Sequence, residues 1–282
     1  MIPVPGVWVT LHRVGTDASG PLDSARADVR GQYAFDFVRT GEEGAIYFVS
    51  ASYSGIAYFT PPFHHSVTTG DEAEIAVFDT TSAPVPISVR GHHLIVSAVN
   101  ANSTRSVTEV FEIANDSSVT RVVGPGPAGA VWSTVLPAKA SAFKVAHGDV
   151  PAGAIRFEDG HAHVLAPIAP GLKQIAFTYS VPASAFPLRF PITRPTQVLE
   201  VLIEEEKGNV TGALLKEVDP VSLEQRSFRR FLAADVPADE ESLIDLPAAT
   251  VDRGSNRAFL VALTVVIAGG MAFVLARALR SQ

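Results

Sequence analysis

Short runs with an apolar residue at every second position, broken by glycine or proline, most restrict what this chain can become. Val7, Val9 and Leu11 alternate with Trp8, Thr10 and His12, and Tyr33, Phe35 and Phe37 repeat the pattern. Val107 to Ile113, then Trp132, Thr134 and Leu136, then Ile175, Phe177 and Tyr179 do the same. A period of two puts successive side chains on opposite faces, which describes a half-buried strand and not a helix. The 20 prolines and 21 glycines are spread along the 282 residues, as many turns between short strands require. The fold class expected is all-β, built of tandem β-sandwiches.

Further strands are expected at 45–52, 56–60, 74–78, 87–89, 94–98, 154–157, 163–166, 198–203, 213–218, 228–233 and 243–246. Residues 15–23 read as a turn. Asn115-Asp116-Ser117 should reverse the chain, so that 119–123 returns as hairpin partner to 107–113. Asp159-Gly160 should reverse it between 154–157 and 163–166.

One segment breaks the pattern. From Ala258 to Ala276 the chain reads AFLVALTVVIAGGMAFVLA, without charge or proline. As a helix this run of about 19 residues measures about 28 Å, close to the ~30 Å hydrocarbon core of a bilayer. It has no polar stripe of the kind a buried soluble helix shows. Arg253 and Arg257 precede it, and Arg277 and Arg280 follow. The segment is expected to be a C-terminal transmembrane helix. The organisation is then a first sandwich at 1–79, a sandwich body at 80–249 that divides near the proline-rich stretch 182–195, a linker at 250–257, the anchor at 258–276 and a tail at 277–282. Small residues in the anchor, Thr264, Ala268, Gly269 and Ala272, mark a face on which another helix could pack closely.

Composition removes several functions. There is no cysteine, so disulfides, thiolate metal sites and cysteine nucleophiles are excluded. A net charge of −7 argues against nucleic acid as a partner. The residues after Met1 lack the basic start and long apolar stretch of an export signal. The arginines flanking the anchor are balanced, so they do not orient it. The short basic tail suits a cytoplasmic end, which puts the body in the periplasm of a bacterial inner membrane.

The N-terminal residues also carry a resemblance. Pro3, Val4, Pro5, Gly6, Val7, Val9 and Leu11, followed by Asp28, Gly31, Tyr33 and Phe35, resemble the carboxypeptidase regulatory-like domain, a small transthyretin-like β-sandwich. The resemblance implies an accessory module without peptidase chemistry. That family has one more strand before the Pro-Val-Pro-Gly turn, and here the chain starts at the turn. The resemblance therefore implies an unpaired edge beside the first strand, or residues upstream of Met1.

Few residues suggest chemistry. His161 and His163, two apart on a strand, share a face and are weak metal candidates. His64-His65 and His92-His93 are adjacent, so in strands each pair points to opposite faces. No HExxH, no nucleophile elbow and no phosphate-binding glycine loop occurs. Glu204-Glu205-Glu206 reads as a solvated acidic turn. Arg226, Arg229 and Arg230, around Phe228 and Phe231, form a basic cluster suited to lipid phosphates or an acidic partner, with Phe228 and Arg230 on one face. Asn102, Asn115 and Asn209 match the glycan-acceptor pattern. The function expected is a non-catalytic, single-pass accessory subunit of a larger membrane complex of respiratory or photosynthetic type. It needs no cofactor, and its partners are other subunits and the lipid bilayer. The alternatives are a carbohydrate- or peptide-binding surface module using the Trp8/Tyr33 region or the loops at one sandwich end, and, further off, a metal-dependent enzyme using His161 and His163.

Overall fold

The computed structural model describes residues 2–63, 68–124, 129–223 and 225–248. The anchor with its four small residues, the linker, the tail and His64-His65 lie outside the described residues. Among the described residues the protein is all-β. Within them three short 3-10 turns interrupt the strands, and no helix among the described residues is long and apolar enough to cross a membrane. The chain forms two compact units. One is Met1–Thr81 with Ser118–Thr120; the other takes in Ser82–Ser117 and the residues from Arg121 on.

In the first unit, β1 (Trp8–Val14), β2 (Ser19–Arg26), β3 (Ile46–Tyr53) and β4 (Ile56–Phe59) form an antiparallel sheet in the order β2-β1-β3-β4. The alternation in β1 and β3 sends Val9, Leu11, Tyr47, Val49 and Ala51 to one face, where they form a core with Phe63. Tyr33, Phe35 and Phe37, with Ile75 and Val77, cover that core. Their alternate burial matches the sequence pattern, yet neither 32–40 nor 74–78 forms a paired strand. Periodicity reports which face is buried, and it does not say whether a neighbouring backbone is within bonding reach. β1 has partners on both sides, β2 and β3, so the open edge expected beside it is not there. Residues 19–26 supply that pairing, although 15–23 reads as turn in the sequence. The reversal itself is confined to Gly15–Ala18, closed by the Gly15 N–H donating to the Ala18 carbonyl.

Arg13 lies on the buried face of β1, in line with Val9 and Leu11. Its guanidinium is fully employed: it bonds Asp17 at 2.7 Å, the Ala18 carbonyl at 2.7 Å and the Thr40 carbonyl at 3.0 Å. Gly41 (φ +87°) passes so close to that guanidinium that a Cβ would overlap it, so glycine is required there for space as well as for conformation.

Two-residue strands β5 (Thr80–Thr81) and β8 (Thr120–Arg121) fall where the division between the units runs. The second unit contains β6 (Ile87–Val99), β7 (Thr104–Asn115), β9 (Trp132–Val135), β10 (Ser141–Val145), β11 (Ile155–Glu158), β12 (His161–Val164), β13 (Gly171–Pro182), β14 (Leu188–Ile192), β15 (Thr196–Ile203), β16 (Asn209–Gly212), β17 (Lys216–Leu223), β18 (Arg226–Val236) and β19 (Glu240–Asp245). A seven-stranded sheet runs in the order β10-β13-β7-β6-β15-β18-β17. Two three-stranded sheets, β11-β12-β9 and β14-β19-β16, complete the set. Side chains from all three sheets, among them Leu94, Phe111, Phe177, Val201, Trp132, Val164, Phe190 and Ile244, share one core. This is a sandwich-like arrangement in which apolar faces of facing layers exclude water.

Two expectations are corrected here. The proline-rich stretch 182–195 does not divide the body, because β7 and β13 before it and β15 and β18 after it belong to the same sheet. Prolines shape the local path of the chain, whereas the apolar runs on either side determine what pairs with what. The segment 119–123 is not the hairpin partner of β7, whose neighbours are β6 and β13. The twelve-residue β7 is buried nearly throughout, and only two long strands can satisfy both of its edges. The hairpin across Asp159-Gly160 forms as expected, joining β11 to β12.

Candidate functional site

His161 and His163 do share a face of β12, with ring centroids 5.7 Å apart and nearly parallel. The His161 Nδ1 bonds the Asp159 carbonyl at 2.8 Å. Among the described residues no third His, Asp or Glu joins them in a group able to hold a metal. Two ligands without a third give weak, unselective metal affinity.

The expected alternation in β18 is present: Phe228 lies in a small cluster with Ile95 and Leu202, and Phe231 lies in the main core on the other side. Each arginine meets a glutamate of the same chain. Arg226 pairs with Glu204, Arg229 with Glu217 at 2.7 Å, and Arg230 with Glu200 at 2.5 Å. The acidic run at 204–206 is not simply solvated either. Glu204 receives the Ala98 N–H at 2.6 Å, and Glu205, buried, pairs with Arg105 at 3.0 Å. Arg105 is itself buried and also donates to the Ser97 and Pro247 carbonyls. Of the three glycan-pattern asparagines, Asn115 is buried and donates to the Ile168 carbonyl.

The strongest polar constellations were not selected by sequence reasoning. His92 and His93 sit on β6 at the centre of the large sheet, and as neighbours in a strand they point to opposite faces. On the face turned to the main core, His92 Nε2 meets Glu109 Oε2 at 2.8 Å, and the Tyr179 hydroxyl donates to Glu109 Oε1 at 2.5 Å. The His92 ring stacks on Phe111 with centroids 4.0 Å apart. Burial, with the charge of Glu109, pushes the Tyr179 hydroxyl pKa well up. On the opposite face, His93 Nδ1 meets Glu200 Oε2 at 2.6 Å, and Arg230 Nε donates to Glu200 Oε1 at 2.5 Å. Burial alone would raise the Glu200 pKa, but the hydrogen bond and charge of His93 and the charge of Arg230 outweigh it and hold the pKa down. Glu112 lies on this face too, and burial raises its pKa. Gly91 makes room there: a Cβ would come 2.9 Å from both Glu112 Oε2 and His93 Nε2. In these buried networks Glu109 and Glu200 each have two hydrogen-bond partners, as a buried carboxylate requires.

The first unit has a different kind of feature. The sheet face opposite its core carries Trp8 (51% exposed), Ile46, Phe59 (59% exposed) and Val14 at the surface. His12 stacks on Phe48 with centroids 5.1 Å apart, and Phe48 meets Phe59 edge-on. Thr10, Ser50 and Ser52 lie among them in register, Thr10 opposite Ser50 and Trp8 opposite Ser52. Isolated exposed apolar residues need no explanation, but a contiguous aromatic face on a sheet is a feature of contact surfaces.

No family model matches the chain, and no curated protein matches it. Among solved structures, it resembles a chain titled "crystal structure of a putative protease" from Parabacteroides distasonis, with 11% identity and a TM-score of 0.33. The match covers 57% of this chain and 40% of that one, so this chain spans well under half the length of its neighbour. A likeness that slight carries no argument about activity.

Proposed function

We propose that this protein is a non-catalytic, membrane-tethered contact subunit. Its β-sandwich body works in the periplasm of a bacterial inner membrane, and its apolar segment 258–276 serves as the anchor. The observation that carries the reading is the open apolar face of the first unit: Trp8, Val14, Ile46 and Phe59 stand where a partner surface can cover them. Each is already about half buried, so covering the rest is worth roughly 1 kcal/mol each before the costs of association. The resemblance of residues 3–35 to a regulatory-like accessory module, and the apolar run with its flanking arginines, support the same reading. The larger assembly proposed is a membrane complex of respiratory or photosynthetic type, reached through this face and through the small residues of the anchor.

A second reading has one observation in its favour. Aromatic rings interleaved with the hydroxyls of Thr10, Ser50 and Ser52 also suit the apolar and polar faces of a sugar ring. One experiment tests both. The full chain should stay with membranes under alkaline extraction, and a chain ending at residue 249 should be released. In mild detergent the full chain should run as a complex that the double variant Trp8→Ser, Phe59→Ser no longer forms. A monomer unaffected by that variant would sink the contact reading. Retardation on a polysaccharide column that the variant abolishes would favour the second.

A further inference from the structure

A small cleft opens in the second unit where β9 and the segment joining β14 to β15 lie over β6 and β7. Its walls include His92, Phe111, Trp132, Thr134, Thr193 and Arg194. Arg194 is the one cation in that lining. It is half-buried, and its guanidinium lies 5.4 Å from the centre of the Trp132 ring. One nitrogen donates to the Ser133 carbonyl at 2.8 Å. Among the described residues no carboxylate lies within ion-pairing distance of it. Arg13, Arg90, Arg105, Arg226, Arg229 and Arg230 each have an aspartate or glutamate, whereas half-buried Arg121, like Arg194, donates to a backbone carbonyl.

Trp132 is buried, and its Nε1–H, which has no acceptor among the described residues, is closed off from solvent and so from a ligand in the cleft. Thr134 and Thr193 add hydroxyls at the same cleft. A half-buried guanidinium without an anion is an arrangement that a ligand carboxylate would complete. Burial lowers the Arg194 pKa, and no neighbouring carboxylate offsets that loss.

We infer that this cleft binds a carboxylate group, held by the fork of Arg194. The space inside is about 20 Å³ and half open, so the carboxylate head enters and the rest of its molecule stays at the mouth. The group could belong to a small organic acid or to the free end of a peptide. The shared chemistry is an anion with two oxygens in a plane, which arginine matches and lysine does not.

The chain has two tryptophans, so Trp8→Phe leaves Trp132 as the only indole reporter in the full-length protein. In that background, Trp132 fluorescence is titrated with propionate and with propionamide at fixed ionic strength. N-acetyl-dialanine is tested as free acid and as amide. Propionate should give a saturable change that propionamide does not, and Arg194→Gln should weaken it at least about tenfold, a loss of ~1.4 kcal/mol. Arg194→Lys, which keeps the charge and loses the fork, should fall between. Circular dichroism melts establish that both variants are folded. Should Arg194→Gln fail to fold, the acid-against-amide contrast and Arg194→Lys decide the matter. A response to the peptide acid without one to propionate assigns the site to chain ends, and a response to both assigns it to small acids. No saturable response to either acid, equal responses to acid and amide, or an undiminished response in both arginine variants would overturn the inference.

Discussion

Two adjacent histidines in one strand live in different electrostatic worlds. His92 is joined to Glu109 and Tyr179, a chain that ends on a phenol in the apolar core and includes no permanent cation. His93 is joined to Glu200 and through it to Arg230, whose side chain keeps about a fifth of its surface in solvent. Both carboxylates are almost wholly buried, and both accept two partners. The difference lies in what compensates the charge. On the His93 side a guanidinium that is always charged does so, and the Glu200 pKa is held down. On the His92 side compensation comes from hydrogen bonds whose protons can be shared. A buried carboxylate with a fixed cation resists change, whereas one with only shared protons depends on the geometry around it.

The largest effect expected is from Glu200→Ala. It leaves buried His93 and partly exposed Arg230 without the carboxylate they share. Urea unfolding should show a loss of about 3–5 kcal/mol with unchanged slope. A loss under about 1 kcal/mol would mean that the His93 network contributes no more than a surface pair. Glu109→Gln should cost less, about 1–3 kcal/mol, because the amide keeps one acceptor for Tyr179. If it equals or exceeds Glu200→Ala, the fixed cation is not what separates the two faces. Tyr179→Phe should cost about 0.5–1.5 kcal/mol by the same assay, the worth of one hydrogen bond.

A smaller effect of opposite sign concerns pH. Because the Glu200 pKa is lowered on folding, its contribution is present above the ordinary carboxylate pKa and is lost as pH falls through the folded value. The Glu112 pKa is raised by burial, so its contribution is present below the ordinary value near 4.5 and is lost as pH rises through the folded one. Glu112→Gln should therefore gain on the parent protein as pH is taken from 4 to 7. Unfolding curves at several pH values measure this, and a variant that loses ground over that range contradicts it. Smallest of all, His161→Ala should change stability by no more than about 0.5 kcal/mol in the same assay, since the residue is partly exposed and bonds only a nearby carbonyl.

Much of the architecture was legible from period-two patterning. β1, β7, β9 and β13 fall where the alternation puts them, β3 falls on a continuous apolar run, and the opposite facing of His92 and His93 follows from adjacency alone. What escaped is non-local. Ser19–Arg26 looks like a loop by composition and becomes a strand because the edge of β1 offers it a ladder. Glu204 and Glu205 look solvated in a run of three acids, yet Arg226 and Arg105 are brought to them by other strands. Glu109, Glu112 and Glu200 each stand inside apolar runs, where a lone carboxylate is out of place. That conflict was the available signal, and the partner of each was invisible without the sheet order. Arg194 was unreadable for a similar reason: its isolation is a statement about which acids do not reach it.

The parallel pairing of β6 with β15 joins residues about a hundred positions apart, His93 meeting Glu200 across it. A ribosome emitting this chain must therefore release residue 203 before the central ladder can close. Until then the edge of β6, with its long apolar face, is bare to whatever is nearby. Nascent fragments ending inside 183–195 should accordingly be clients of holding chaperones, not folded intermediates, and no protease or designer can halve the body there without unzipping its middle.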